Sequence, residues 1–184
     1  MTAIGVLEMN SIARGFEAAD DMVKTADVTL LAAKPVCPGK FVMVVGGEVA
    51  AVSSALAAGR AKAASYLVDE LVLANIHPAV LPAFYSVGSG GSPGALGLIE
   101  TFSVASAIEA ADAGVKTAEV DLVELRVALG LGGKSFVVFA GLVADVKAAV
   151  EAGSGFVRQK GYLVETAVIP APDAQTKNLL LGMA

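Results

Sequence analysis

The chain has 184 residues, enough for one ordinary domain or two small ones. Apolar residues make up 55% and the mean hydropathy is +0.70, yet no run approaches the ~20 apolar residues of a membrane-spanning helix. The net charge of −5 and pI near 4.8 argue against the concentrated basic face that nucleic-acid binding requires.

In chain order, Ala3 to Met9 is short and apolar and predicts a buried strand. Ser11 can cap a following helix. In that helix Ile12, Phe16, Ala19, Val23 and Ala26 recur at helical spacing and predict one apolar, buried face. Val28 to Val36 predicts a second strand, Pro38-Gly39 a tight turn, and Phe41 to Val45 a third, β-branched strand. Val49, Val52 and Leu56 mark a second amphipathic helix, Tyr66 to Leu73 a fourth strand, and Pro78 to Phe84 a short helix. The short turn makes strands two and three an antiparallel hairpin.

After this the pattern starts again. Residues 5–36 and 97–128 share 14 identities in 32 positions, including Glu17-Ala18-Ala19-Asp20 with Glu109-Ala110-Ala111-Asp112 and Val23-Lys24-Thr25-Ala26 with Val115-Lys116-Thr117-Ala118. That density identifies a duplicated domain. The register slips at loops, so that Gly39-Lys40 matches Gly133-Lys134 and Tyr66-Leu67-Val68 matches Tyr162-Leu163-Val164. Gly88 to Gly94 has a linker composition, placing one domain at 1–88 and the other at 95–184. In the second copy Ala174 to Leu181 takes the place of the short helix. Each copy reads β-α-β-β-α-β, an α+β fold with helices packed on a four-stranded, mainly antiparallel sheet.

The motif Gly5-Val6-Leu7-Glu8, Ala18-Ala19-Asp20, Val23-Lys24-Thr25-Ala26, with its recurrence at 97–100, 110–112 and 115–118, resembles the bacterial microcompartment shell domain over nearly the whole chain. The resemblance implies a structural shell protein, not an enzyme, located in a microcompartment shell in the cytoplasm. Two fused domains imply a homotrimer with pseudo-sixfold symmetry that tiles with other shell proteins. It further implies that the turn between strands two and three of each domain lines a central pore. Those turns hold Val36, Cys37, Pro38 and Gly39 in the first copy and Leu129, Gly130, Leu131, Gly132 and Gly133 in the second. Lys24 and Lys116 correspond to edge lysines at the seam between tiles.

Within the tandem members, Lys34-Pro35-Val36-Cys37-Pro38-Gly39-Lys40-Phe41 resembles the pore loop of the propanediol-utilization type of trimer, which is associated with an iron–sulfur cluster. Leu129 stands where a second cysteine would match Cys37, so a 4Fe–4S cluster would rest on three cysteines per trimer. Three thiolates around an axis supply three corners of a cubane. Such an exposed cluster is expected to be lost easily in air. It would carry electrons across the shell, or to redox enzymes inside it. The alternative reading is a metabolite-conducting pore without a cluster, merely lined by Cys37. A small oxidoreductase is a third reading, disfavoured by the scarcity of acid–base residues in the motifs.

The remaining motifs have plain readings. A single cysteine forms no internal disulfide, and the N-terminus lacks a secretory pattern. Residues 128–135 nearly match a phosphate-binding loop, but a strand-like run, Phe136-Val137-Val138-Phe139, follows where that motif needs a helix. His77 before Pro78 reads as a turn residue, and Glu8 and Glu100 read as structural strand-end carboxylates. There is no triad, zinc spacing or catalytic carboxylate pair.

Overall fold

The structure is a computed structural model and describes residues 2–85, 94–128 and 130–180. The linker residues 88–93, Leu129 and residue 181 lie outside the described residues. The elements are β1 (Ala3–Met9), α1 (Ile12–Thr25), β2 (Thr29–Val36), β3 (Lys40–Gly47), α2 (Val49–Ala63), β4 (Leu67–Ala74) and α3 (Val80–Phe84). These are followed by β5 (Ala95–Thr101), α4 (Val104–Thr117), β6 (Val120–Val127), β7 (Ser135–Gly141), α5 (Val143–Gln159), β8 (Leu163–Ile169) and α6 (Ala174–Leu180). The strands form two four-stranded antiparallel sheets, β2-β3-β1-β4 and β6-β7-β5-β8. The duplicated order is therefore an α+β fold in each half.

Two compact units follow. The first gathers Met1–Ile76 with two short pieces of the second repeat, Ser103–Ala105 and Ala128–Gly133; the second holds the rest. In the first unit the core lies between the sheet and its helices, with Leu7, Met9, Phe41, Met43 and Val45 against Ala18, Met22, Val52 and Leu56. β1 is buried along all seven residues, so both sheet faces are covered. In the second unit Leu98 and Glu100 interrupt the burial of β5.

The face expected to be buried on α1 is corrected by the structure. Ile12, Phe16 and Val23 are exposed, Phe16 to 64%. The buried stripe is Gly15, Ala18, Ala19 and Met22. The cause is close approach: a Cβ on Gly15 would stand 2.4 Å from the Phe41 ring. The helix meets the sheet through its smallest residues, and its bulky apolar residues are left outside. Other expectations hold closely. Ser11 caps α1 by accepting from the Arg14 amide at 3.3 Å, and Tyr66 falls in a 3-10 turn just before β4.

Candidate functional site

The hairpin β2–β3 turns at Cys37, Pro38 and Gly39. The Gly39 amide donates to the Val36 carbonyl at 3.0 Å, and Gly39 has φ +93°, a conformation that favours glycine. Cys37 is half-buried, Pro38 and Gly39 are exposed, and Val36 is buried. The thiol therefore sits in a tight turn rather than in the apolar core.

The second hairpin loop lies against this turn within the same unit. The Cys37 amide donates to the Ala128 carbonyl at 2.8 Å. A Cβ on Gly133 would meet Pro38 Cδ at 2.5 Å and the Cys37 carbonyl at 3.0 Å, so only glycine admits this approach. Gly130 and Gly132, with φ +72° and +60°, face open space and are exposed, while Leu131 is half-buried. The structure thus brings Cys37 and Pro38 together with Ala128 and Gly133. β7 begins at Ser135, so a strand follows the loop where a phosphate-binding loop would require a helix. Among the described residues of one chain, no group of three or more His, Cys, Asp or Glu could hold a metal ion.

Lys40 anchors the base of the first turn. Its Nζ, buried, pairs with Glu8 Oε1 and also donates to the Gly133 carbonyl at 3.2 Å. Glu8 is fully buried, and its Oε2 accepts from the Val104 amide at 2.7 Å at the start of α4. Burial pushes the Glu8 carboxyl above the usual glutamate range, against the opposing pull of Lys40 and of the Val104 and Ala105 amides. Asp69 on the neighbouring strand β4 accepts from the Ser103 hydroxyl. The sequence places Glu8 at a strand end but not in this network, because Val104 is 96 positions away. The matching pair in the second repeat, Lys134 and Glu100, is 2.7 Å apart and only partly covered, with side chains 42% and 36% exposed.

The two edge lysines differ. Lys24 lies in the open beside Asp20 at 2.5 Å, and that hydrogen bond raises its pKa above the ordinary lysine value. Lys116 pairs at 2.6 Å with Asp112, which is buried and also accepts from the His77 amide at 2.8 Å. His77 Nδ1 in turn accepts from the Ala79 amide at 3.3 Å, a turn-stabilising role.

Comparison with known proteins matches both halves. The BMC domain family profile covers residues 3–76 and 95–172. The chain is 50% identical over 170 residues to the bacterial microcompartment shell protein PduT of Citrobacter freundii, spanning 92% of each. It is 41% identical over 87 residues to the shell protein PduA of the same organism, across 47% of this chain and 90% of that one. The crystal structure of a microcompartment protein from Desulfitobacterium hafniense superposes with a TM-score of 0.85 at 50% identity, covering 97% of this chain and 99% of that one. The chain belongs to the BMC-domain family and is a structural, non-catalytic shell protein of a bacterial microcompartment, built from two tandem BMC domains.

Proposed function

We propose that three copies of this chain close into a pseudo-hexameric tile, and that the three Cys37 thiols converge at its central pore to hold one 4Fe–4S cluster. The observation that carries this reading is the placement of the chain's single cysteine at the tip of a tight hairpin turn, packed against the Gly-rich turn of the second repeat. One chain supplies one thiolate, so a cluster needs the threefold axis to gather a ligand set. The residues fit that demand in kind. Cys37 is outside the apolar core, Gly39 and Gly130 leave open space at the tips, and Lys34 lies near in sequence to offset a cluster's negative charge. When bound, the cluster would supply one-electron transfer across the shell or to enclosed redox enzymes. The relation to PduT favours a shell of the propanediol-utilization type.

Val36, Pro38, Gly39, Leu129, Gly130, Leu131, Gly132 and Gly133 form the remaining pore lining in this reading, and Lys24 and Lys116 are the edge lysines that meet other tiles. The second reading, a metabolite pore without a cluster, gives the same tile with Cys37 as lining only. Anaerobic reconstitution followed by iron and acid-labile sulfide assay separates the two. The wild type should bind about four irons and four sulfides per three chains, and Cys37→Ser should bind neither while keeping its assembly state. Equal iron and sulfide in the two proteins would rule the cluster out, and one metal without sulfide per three chains would mark a mononuclear site instead.

A further inference from the structure

A buried charge cluster stands at the base of the first turn. Lys34, Val42, Glu8 and Asp69 lie in one cross-strand row of the first sheet, on the face opposite α1 and α2. Directly opposed residues share a face, so the Glu8 and Asp69 carboxylates sit side by side, an arrangement that like charges resist. Charged groups face Glu8 from β3, where Lys40 pairs with it, and from β4, where Asp69 stands; Lys34 on β2 lies beyond Val42 in the same row. The start of α4 faces it with neutral groups, the Val104 and Ala105 amides, while the Ser103 hydroxyl donates to Asp69. Glu8, Lys40, Asp69 and Ser103 are all buried.

One atom carries this cluster to the second loop. Lys40 Nζ, held by Glu8, donates to the Gly133 carbonyl at 3.2 Å. It acts beside the backbone bond from the Cys37 amide to the Ala128 carbonyl, at 2.8 Å, and the packing of Gly133 on Pro38. The loop itself is poorly braced, since Gly130 and Gly132 have positive φ and nothing stands near a Cβ at either.

We propose that Lys40 clamps the second loop onto the first turn while Glu8 is ionised, and that a proton taken up by Glu8 opens this clamp beside Cys37. That the turn and loop line a pore rests on the tile reading above; the clamp lies within one chain. With Glu8 neutral, the Lys40 ammonium loses its counter-charge in a place nearly closed to water, where an unpaired charge is costly. Asp69 is already engaged, its Oδ1 by the Glu70 amide at 2.8 Å and its Oδ2 by Ser103. Moving the ammonium outward relieves the cost and breaks its bond to Gly133. The Val104 and Ala105 amides keep an acceptor, because a neutral carboxyl still has a carbonyl oxygen. The change is therefore confined to the Lys40 side. Burial holds the Glu8 carboxyl above its ordinary 4.5, so the chain takes up this proton while folded. In the tile, acid would loosen the pore lining around Cys37 without dismantling the sheet behind it.

The Cys37 amide reports the contact directly, because its acceptor is on the second loop. Its hydrogen exchange, corrected for the intrinsic pH dependence, is followed on metal-free full chain from about pH 8 to about pH 4. Wild type is compared with Glu8→Gln and with Glu8→Gln/Lys40→Met, which removes both charges at similar volume. In wild type, protection of Cys37 should fall about tenfold or more on acidification, the worth of a hydrogen bond to a charged group, with a midpoint above 4.5. In both variants it should start at the acid level and stay flat. The Met43 and Val45 amides on β3 should stay protected throughout. A flat wild-type profile, or a step that persists in Glu8→Gln, would overturn the clamp. So would loss of Met43 and Val45 protection together with Cys37, which would make Glu8 a general support of the fold. Sedimentation equilibrium on the same samples separates the two readings: a wild type that shows the step without forming a trimer supports the clamp and removes the tile.

Discussion

Glu8–Lys40 and Glu100–Lys134 are the same ion pair in two settings, and the contrast shows how one duplicated domain has acquired two jobs. In the first repeat the pair is buried and is completed by amides from the start of α4, so the chain satisfies it internally. In the second the pair is only partly covered, and its Glu100 lines an open pocket. One repeat thus completes the pair within the chain, and the other leaves it half exposed. The fused chain keeps the repeat's fold but loses its symmetry of exposure.

The largest expected effect breaks this contrast directly. Glu8→Ala leaves Lys40 buried without its carboxylate and removes the acceptor of the Val104 amide; it should cost about 3–5 kcal/mol of chain stability. Glu100→Ala, measured on the dissociated chain, should cost only about 0–1 kcal/mol, the range of an exposed pair. Urea denaturation of both variants checks this, and equal losses would dissolve the distinction between the two repeats.

The core sharpens the comparison at the next level. In the first repeat Gly15 admits the ring of Phe41; at the equivalent positions the second repeat carries Ala107 and Ser135. There the close approach moves along the helix, where Gly114 admits the ring of Phe139, 2.4 Å from the site of a Cβ. The two halves thus pack the same backbone with large and small residues exchanged. Gly15→Ala and Gly114→Ala should each destabilise by about 1–3 kcal/mol through overpacking. Moving only one member of either pair between the repeats should be worse than moving both, as thermal melts of the grafted variants would show.

A third distinction is the pH response of Glu8. Its folded pKa lies above the ordinary value of 4.5, so the folded chain holds this proton more tightly than the unfolded one. The resulting contribution to stability is fully present below the unfolded value and is lost as pH rises through the raised folded value. Glu8→Gln removes the titration. The stability difference between wild type and Glu8→Gln should therefore move in favour of the variant as pH rises above about 4.5, read from denaturation curves across that range. A difference that stays flat, or moves towards wild type, would contradict the assigned cause.

The smallest effects concern the edge. Lys24→Ala removes an exposed contact with Asp20 and should leave chain stability unchanged. Lys116→Ala strips its partner from the buried Asp112 and should lower the melting temperature slightly. In the proposed role both variants should reduce sheet formation, visible by electron microscopy, without changing the mass of the soluble assembly. Sheets of unchanged extent from the double variant would remove these lysines from the edge.

The sequence made the duplicated β-α-β-β-α-β order legible because strand patterning, the Ser11 cap and the Pro38-Gly39 turn are local signals. It misplaced the buried face of α1, because an apolar stripe through Ile12 and Phe16 is the ordinary mark of a core. The core here needed Gly15, Ala18 and Ala19 for close approach to Phe41. The role of Glu8 was invisible because its partners come from Lys40 and Val104, far along the chain. Cys37 stood out through its Pro–Gly turn together with the resemblance of that turn to a shell-protein pore loop. Its contact with Ala128 and the approach of Gly133 to Pro38 required the folded chain.

The sole cysteine offers the most direct measurement of the tile and its pore. A short-armed trivalent maleimide, added to dilute metal-free protein, reports whether three Cys37 thiols face one another. The account predicts one covalent product of three times the 18.4 kDa chain mass, formed at less than stoichiometric reagent and absent in Cys37→Ser. Single-chain adducts alone, under conditions where Cys37 reacts to completion, would contradict it.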